Sequence, residues 1–304
     1  MRNAFAETLY QSAKIDKRLS IVVADISPAG SIAKFHKENP ERFINVGVAE
    51  QTMIGICAGM ALKGMRPFAY TIAPFTLYRP FEIIRDDLCY QNLAVTVVGM
   101  GSGVVYSNLG STHHSQEDIA VAGALPNMQI LAPCDPLETE AATRFCAMDN
   151  KGPMYLRLGK AGEPNLTEDA VDPFEFGKVR YLRKGTDVCI MSYGPIMKMA
   201  LEVADRMTAG GASVSVVNVH TLKPIDQEGI AKALKDHKKV ITIEEHAPMG
   251  GLKAHAKQIA WDTKAECDLH TFSLKDEYIH CYGSYEEILA AHGLSADIII
   301  KALG

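Results

Sequence analysis

A carboxylate at the start of a predicted helix is the first candidate for acid–base chemistry. Glu50 lies in Gly47-Val-Ala-Glu-Gln51, which leads from a predicted strand into a helix of small residues, and it falls in the first helical turn. An acid in that turn complements the helix macrodipole, which is a structural role. Among apolar neighbours it would instead bind a proton more readily, and it could share that proton with a ligand nitrogen. The residues alone leave both interpretations open.

Two aromatic side chains follow another predicted strand. Phe75 and Tyr78 are three residues apart, so they would share one face of a helix that begins there. Core packing explains such a pair, and a pocket for a flat heterocycle is the alternative.

Histidines and cations could contact a substrate. His113 and His114 lie in a polar loop that runs from Ser107 to Gln116. Such a pair is usually surface or hydrogen-bonded polar structure, and the alternative is a histidine that binds substrate or transfers a proton. Solvated charge is the default role of a surface cation, and the candidate anion contacts to which this default applies are Arg2, Arg79, Arg157 and Lys160. Glu244-Glu-His246 is better explained by a structural or interface role, because no nucleophile–base pair is discernible nearby.

The elements that position these residues alternate between short apolar strands and helical patterns. Strands are predicted at 20–24, 69–72, 94–98, 128–131 and 154–157, with helices near 50–64, 77–91, 117–124 and 135–148. Strands that are apolar throughout and separated by helices indicate a parallel sheet covered on both faces. Ligands of such sheets bind beyond the carboxyl ends of the strands. We therefore expect the site in the loops after Ala24, Asn45, Ile72 and Val98.

A second unit of the same type follows. Residues 159–180 are rich in turn formers and charge, and the alternation restarts at Asp187. The later strands are predicted near 213–219, 238–244 and 268–272, with helices near 195–209, 226–235, 251–261 and 284–291. The fold class is therefore α/β, with two successive domains that are each a mostly parallel sheet sandwiched by helices. We place the domains at 1–165 and 181–304, joined by a linker at 166–180.

Composition narrows the function classes. The 304 residues are 47% hydrophobic and 22% charged, with a net charge of −5, which argues against nucleic-acid binding. No apolar run is long enough to span a membrane, and no signal peptide is discernible, so we expect no membrane contact. The seven cysteines are odd in number and form no C-x-x-C pair, which favours reduced thiols in a cytoplasmic protein over a zinc or disulfide framework.

Taken in order, these loops resemble the C-terminal half of the transketolase family. The segments that carry the resemblance are Ala24-Asp-Ile-Ser-Pro28, Asn45-Val-Gly-Val-Ala-Glu-Gln51, Phe75-Thr-Leu-Tyr78, Gly110-Ser-Thr-His-His114, Ser192-Tyr-Gly-Pro195, Thr221-Leu-Lys-Pro-Ile-Asp226, and Glu244-Glu-His246 with Gly250-Gly251. Members of this family use thiamine diphosphate and Mg²⁺. The resemblance implies a pyrimidine-binding domain over residues 1–165 and a transketolase C-terminal domain over residues 181–304.

The resemblance also implies a partner. The family's diphosphate-binding domain carries a Gly-Asp-Gly signature, and no Gly-Asp-Gly occurs in this sequence. We therefore expect a separate N-terminal transketolase subunit to supply that domain and the Mg²⁺ ligands, with none from this chain. The chain alone should bind cofactor weakly or not at all. Self-association within an α2β2 heterotetramer is the natural symmetric assembly.

Site residues carry over from the family one at a time. Glu50 matches the glutamate that contacts N1′ of the cofactor pyrimidine, where a shared proton favours the imino form of the neighbouring amino group. Phe75 and Tyr78 match the aromatic pocket around the pyrimidine, and Asp25 matches an acid near the cofactor and the subunit interface. His113 matches a substrate-contacting histidine, so Glu50 and His113 are the catalytic candidates.

The family's phosphate site is altered here. Arg2 matches an arginine of that site, but Lys160 stands where an arginine usually holds the acceptor phosphate. A lysine binds phosphate as a point charge without the bidentate fork. Leu109 replaces an aspartate that meets a substrate hydroxyl, Gly101 replaces a phosphate-contacting histidine, and Ala29 replaces a serine.

The resemblance therefore implies the C-terminal subunit of a split transketolase. Such an enzyme transfers a two-carbon ketol unit from a ketose, or its phosphate, to an aldehyde acceptor. One alternative is the β subunit of a thiamine diphosphate enzyme that uses a 2-oxoacid, of the dehydrogenase E1 or deoxyxylulose-phosphate-synthase type. A non-catalytic regulatory subunit is the other alternative, because a fold alone does not determine a function.

Overall fold

A computed structural model describes residues 1–26 and 30–304, so Ala29 lies outside the described residues. Six strands of the first half form one parallel sheet: β1 (Leu19–Val23), β2 (Phe43–Asn45), β3 (Arg66–Ile72), β4 (Thr96–Met100), β5 (Gln129–Leu131) and β6 (Met154–Leu158). They lie in the order β5-β6-β4-β3-β1-β2. Every residue of β1, β4 and β6 is buried, as expected for strands covered on both faces.

Helices cover both faces of this sheet. They are α1 (Arg2–Ile15), α2 (Ser31–Glu38), α3 (Glu50–Leu62), α4 (Ala73–Leu77), α5 (Phe81–Ile83, continued by a π-helical turn at Ile84–Tyr90), α6 (Asp118–Gly123) and α7 (Pro136–Met148). On one face, Phe5 of α1 stacks on Tyr70 of β3 with ring centroids 5.5 Å apart. On the other, Met53 and Cys57 of α3 belong to the core that also contains Val97 of β4.

The second half builds a smaller sheet. Its strands are β7 (Arg180–Arg183), β8 (Val188–Ser192), β9 (Val214–Asn218), β11 (Lys239–Ile243) and β12 (Asp268–Phe272), in the order β12-β11-β8-β9-β7. All pairs are parallel except β7 with β9. The helices are α8 (Met197–Ala209), α9 (Gln227–Asp236), α10 (Leu252–Thr263), α11 (Tyr285–Ala291) and α12 (Ala296–Leu303). This two-domain α/β architecture, with mostly parallel sheets flanked by helices, agrees with the fold class predicted from the sequence.

One strand crosses between the two units. Strand β10 (Thr221–Lys223) comes from the second half of the chain, yet it pairs antiparallel with β5 and becomes the seventh strand of the first sheet. The residues 159–179, all of which the structure describes, contain no helix or strand. Strand β7 begins at Arg180, the last residue of the predicted linker. The chain order of the two units is therefore clear, but the first sheet is completed by the second unit.

Several observed elements are absent from the predicted ones, among them helices α1, α2 and α12 and strand β7, and two local features illustrate such differences. The helix predicted near 77–91 is broken into α4, α5 and a π-helical turn, and Pro80 stands between the pieces. A proline lacks the backbone N–H and its ring clashes with the preceding turn, so a continuous α-helix is excluded there. Helix α1 is absent from the predicted elements, although Phe5, Leu9 and Ala13 recur at helical spacing and are buried.

Two expectations from composition can be compared with the described residues, which include all seven cysteines. None of these cysteines is in a disulfide, and five of them are buried. In residues 1–26 and 30–304 we find no helix with both the length and the apolar character needed to cross a membrane.

Candidate active site

The four predicted loops meet at one edge of the first sheet. Strands β4, β3, β1 and β2 are parallel neighbours, so their carboxyl ends lie side by side. The side chain of Asn45 joins two of the loops, because its Oδ1 accepts hydrogen bonds from the backbone N–H of Asp25 (3.3 Å) and of Gly47 (3.0 Å). Asp25 itself is exposed at the end of β1, in a left-handed backbone conformation.

Glu50 is the first residue of α3 and is only 4% exposed. Its Oε1 accepts a hydrogen bond from Nη1 of Arg79 at 2.7 Å, which makes a direct ion pair. A buried carboxylate needs such a partner, because removal from water is costly for an isolated charge. The carboxylate thus has a specific counter-ion besides the helix N-terminus beside it.

Arg79 and His113 both contact the ring of Phe75. The guanidinium carbon of Arg79 lies 4.1 Å from the Phe75 ring centroid. The ring of His113 meets Phe75 edge-on, with centroids 5.2 Å apart and planes at 69°. The structure therefore brings together Glu50, Arg79, Phe75 and His113, which we call the Glu50 cluster. Burial, and then the charge of Arg79, lower the pKa of His113, so its imidazole is neutral near pH 7.

Tyr78 has a different set of partners. Its hydroxyl donates to Oε2 of Glu117 at 3.0 Å, and the hydroxyl of Tyr278 donates to Oε1 of the same carboxylate at 3.2 Å. Burial, and then the nearby Asp118 and Glu117 charges, raise the pKa of Tyr78. Glu117 thus joins an aromatic side chain of the first unit to a loop of the second. Tyr278 is far away in sequence, and no local motif marks it.

Arg2 and Lys160 are brought together by their backbones. The N–H of Arg2 donates to the carbonyl oxygen of Lys160 at 2.7 Å, and the N-terminal ammonium bonds to Glu163 at 2.8 Å. Lys160 lines a cavity of about 480 Å³ between the two units, together with Asn108 from the loop that carries His113.

The structure shows the surroundings of Gly101 and Leu109, two of the residues that depart from the family pattern. Gly101 has a positive φ of 68°, and the ring of Tyr106 fills the space that a side chain at this position would need. A histidine cannot be accommodated at residue 101 without displacing Tyr106. Leu109 is 42% exposed and offers no polar atom for a substrate hydroxyl.

Arg157 is not an anion contact. It is fully buried in β6, where its Nε donates to Asp118 at 2.8 Å. Its Nη2 donates at 3.0 Å to the carbonyl oxygen of Glu245, a residue of the second unit. The sequence interpretation of Arg157 as a candidate ligand for anions is therefore wrong for the chain in this conformation, because the guanidinium faces the core.

The Glu244-Glu-His246 segment takes part in the same contact between the units. Glu245 accepts hydrogen bonds from the N–H of Val104 at 2.5 Å and from the hydroxyl of Tyr285 at 2.6 Å. Burial raises the pKa of Glu245 to about 7. Glu244 accepts from the N–H of Leu252 at 2.7 Å, at the start of α10. These contacts agree with the structural role favoured by the sequence.

A metal site built by this chain is not discernible. Over the described ranges 1–26 and 30–304, no three His, Cys, Asp or Glu side chains are grouped so that they could hold a metal ion.

Comparisons with known proteins agree with this architecture. Residues 1–163 match the family model "Transketolase, pyrimidine binding domain", and residues 177–299 match "Transketolase, C-terminal domain". An apulose-4-phosphate transketolase subunit of Phocaeicola vulgatus is 35% identical over 99% of this chain and 95% of its own length. The 6-deoxy-6-sulfo-D-fructose transketolase subunit SqwH of a Clostridium species is 31% identical over 99% and 92%.

Two further comparisons bear on the alternatives. A solved structure described as "Split gene transketolase, inactive beta4 tetramer" is 32% identical, with a TM-score of 0.87 over 99% of this chain and 96% of that chain. The 1-deoxy-D-xylulose-5-phosphate synthase of Bacillus mycoides is 32% identical over 98% of this chain but only 47% of its own length. The chain therefore belongs to the transketolase family of enzymes, in which it corresponds to the C-terminal subunit of split transketolases.

Proposed function

We propose that this chain provides the pyrimidine-side half of a transketolase active site. With an N-terminal partner, it transfers a two-carbon ketol unit from a ketose to an aldehyde acceptor with thiamine diphosphate as cofactor. The observation that carries this proposal is Glu50, a carboxylate buried at the head of α3 and linked through Arg79 to the ring of Phe75. A buried acid next to a flat aromatic face is suited to a ring that offers a basic nitrogen.

Four side chains of this chain, those of Glu50, Phe75, Tyr78 and His113, have separate roles in the proposed site. Thiamine diphosphate, when bound, supplies the carbanion chemistry. Glu50 would hold a proton at the pyrimidine N1′, Phe75 would pack against the pyrimidine, and Tyr78, whose hydroxyl is held by Glu117, would line the same pocket. His113, neutral near pH 7, contacts the substrate beside Phe75.

The partner subunit would complete the site. We assign to it the diphosphate-binding domain and the Mg²⁺ ligands, within an α2β2 heterotetramer, and Asp25 would lie near the junction. The relative described as a β4 tetramer supports this division, because that assembly of β chains is described as inactive. Apolar side chains near the two ends of α3 are uncovered, as Val48, two residues before Glu50, is 72% exposed and Leu62, at the far end of the helix, is 61% exposed. Exposed apolar surface of this kind is typical of an interface.

The sugar substrates, donor and acceptor, are proposed to carry an anionic group. Both transketolase relatives are named for a sugar with a phosphate or a sulfo group. Lys160, which lines the cavity between the units, would bind that group there, and Arg2, joined to Lys160 through the backbone, would assist it. The filled space at Gly101 and the apolar Leu109 would change how the rest of the acceptor is held.

Domain boundaries and location complete the proposal. A pyrimidine-binding domain at 1–165, a linker at 166–180 and a transketolase C-terminal domain at 181–304 are supported by the segment 159–179, which lacks helices and strands. The seven free cysteines support a reducing, cytoplasmic location.

Use of a 2-oxoacid donor is the second candidate. The likeness to 1-deoxy-D-xylulose-5-phosphate synthase over nearly the whole of this chain favours it. Offering pyruvate and a ketose in parallel to the assembled complex separates the two reactions. Turnover of the ketose without release of CO₂ supports transketolase chemistry, and turnover of pyruvate alone contradicts it.

The assignment is tested first by purifying the tagged chain from its own host. We expect a second chain carrying the diphosphate-binding domain, and bound thiamine diphosphate, to copurify. In that complex Glu50→Gln should abolish turnover while the partner still binds. Glu228→Gln is the matched control, since Glu228 is also an acid in a first helical turn but is exposed. Full activity of Glu50→Gln would overturn the role of Glu50. A cofactor-free chain that purifies alone would favour a regulatory subunit.

A further inference from the structure

Arg79 is the direct counter-ion of the carboxylate to which we assign cofactor activation. Its Nη1 lies 2.7 Å from Oε1 of Glu50. The two partners differ in solvent access, because the Glu50 side chain is 5% exposed and that of Arg79 is 44% exposed. The carboxylate is thus held in the protein, while the guanidinium reaches it from the solvent side.

The same guanidinium covers the ring of Phe75. At 4.1 Å from the ring centroid, it lies at the distance of a stacked planar group. A pyrimidine in this pocket would need the same two partners, an acidic oxygen for N1′ and an aromatic face for its ring. Arg79 therefore uses both of the contacts that the proposed function reserves for the cofactor.

We infer that Arg79 is an internal ligand of the pyrimidine pocket. Its guanidinium holds Glu50 and Phe75 in the absence of thiamine diphosphate and is displaced when the cofactor binds. This inference rests on the proposed function and adds to it a residue that controls cofactor loading. No covalent bond is made or broken, since a planar cation leaves and a planar heteroaromatic ring takes its place.

Electrostatics explains why the Arg79–Glu50 pair forms in the empty pocket and why it separates when the cofactor binds. A buried carboxylate without a counter-ion is strongly unfavourable, so Arg79 stabilises Glu50 in the empty pocket. While the pair persists, Oε1 of Glu50 accepts from the Arg79 guanidinium at 2.7 Å and is not available to N1′. Cofactor activation therefore requires Arg79 to leave Glu50. Its partial exposure makes that movement feasible without unfolding α4 or α3.

The inference predicts the direction in which the affinity for thiamine diphosphate changes when Arg79 is replaced. An internal ligand lowers the apparent affinity by the fraction of molecules in which the pocket is open. Arg79→Gln should therefore lower the Kd for thiamine diphosphate with Mg²⁺ by about threefold to tenfold in the assembled complex. The lower Kd should result from a faster association of the cofactor, with the dissociation rate unchanged, because Arg79 does not contact the cofactor once it is bound. Titration calorimetry measures the Kd, and rapid filtration with radiolabelled cofactor measures the rates.

Two further variants make the result interpretable. Arg79→Lys keeps the charge but loses the planar fork, so its association rate should lie between those of wild type and Arg79→Gln. Arg85→Gln is the matched control: Arg85 is an exposed arginine in the same segment, paired only with Glu82 and Asp86 among the described residues, and should behave as wild type. In the lone chain, Arg79→Gln and Glu50→Gln should be strongly coupled in a double-mutant cycle of thermal stability.

The possible outcomes separate this inference from the proposed function. If the wild-type complex does not bind thiamine diphosphate, the proposed function fails. If the wild type binds and Arg79→Gln associates no faster, the internal-ligand role is overturned while the function stands. Faster dissociation from Arg79→Gln would likewise overturn it, because Arg79 would then be contacting the bound cofactor.

Discussion

Arg157 and Asp118 form an ion pair that is almost completely shielded from water, with Nε 2.8 Å from Oδ2. The hydroxyl of Tyr155 donates to the same oxygen at 2.8 Å, and Arg157 also donates to the backbone of Glu245. The pair thus connects β6 with α6 of the first unit and with the second unit. Removing one partner leaves the other charge buried and unpaired, so it costs much more stability than removing one partner of a surface ion pair.

Asp118→Ala should destabilise the chain by about 3–5 kcal/mol, because the Arg157 charge remains in the core without a counter-ion. Urea unfolding followed by circular dichroism measures the change. Glu140→Ala removes an exposed ion pair with Arg144 and is the control, with an expected cost of about 0.5 kcal/mol or less. Equal losses of unfolding free energy for the two substitutions would contradict a large contribution of the buried pair to stability.

Glu245 should make stability fall as the pH rises. Its pKa in the folded chain is about 7, raised by burial from 4.5. A carboxyl with a raised pKa contributes stability that is fully present below pH 4.5 and is lost as the pH rises through 7. Glu245→Gln, which keeps the shape and an oxygen for the Val104 N–H, should flatten the stability curve over this range. Unfolding free energies across the range provide the measurement, and an unchanged slope would exclude Glu245 as its source.

His292 should have the opposite effect in acid. Burial, the largest cause, lowers its pKa from 6.5 to about 4, and the described structure offers no hydrogen-bond partner to either ring nitrogen. A histidine with a lowered pKa contributes stability above pH 6.5 that is lost as the pH falls towards 4. His292→Leu should remove this part of the acid sensitivity, seen as a smaller fall in Tm. The exposed His280, changed to Gln, should leave the acid sensitivity as it is in the wild type.

Lys160 should discriminate between charged and neutral acceptors. Lys160→Met in the assembled complex should lower kcat/KM for a phosphorylated aldehyde by about 10- to 100-fold, the size expected for a charge-assisted hydrogen bond. The value for the unphosphorylated counterpart should hardly change. Lys198 lines the same cavity and serves as the comparison, so Lys198→Met shows whether any nearby positive charge suffices. Equal losses for both acceptors would assign Lys160 a structural role.

Much of the fold follows from local sequence patterns. The predicted strands at 154–157 and 268–272, for example, lie within one residue of β6 and β12 at each end. Continuous apolar runs bounded by turn formers are a local property, so they can be recognised without knowledge of their neighbours. Strand β10 could not be assigned to the first sheet in this way, since its partner β5 is distant in sequence and the pairing depends on how the two units dock.

The candidate site likewise has features that the sequence predicts and features that only packing decides. The sequence by itself determined that Glu50 begins a helix, that Phe75 follows a strand and that these loops meet at one sheet edge, because parallel strands align their carboxyl ends. Only the tertiary structure decided which cation faces which acid. By type alone Arg79 and Arg157 are equivalent, yet one reaches Glu50 from solvent and the other is buried against Asp118. The strength of an ion pair depends on distance and burial, and both are set by packing between distant segments.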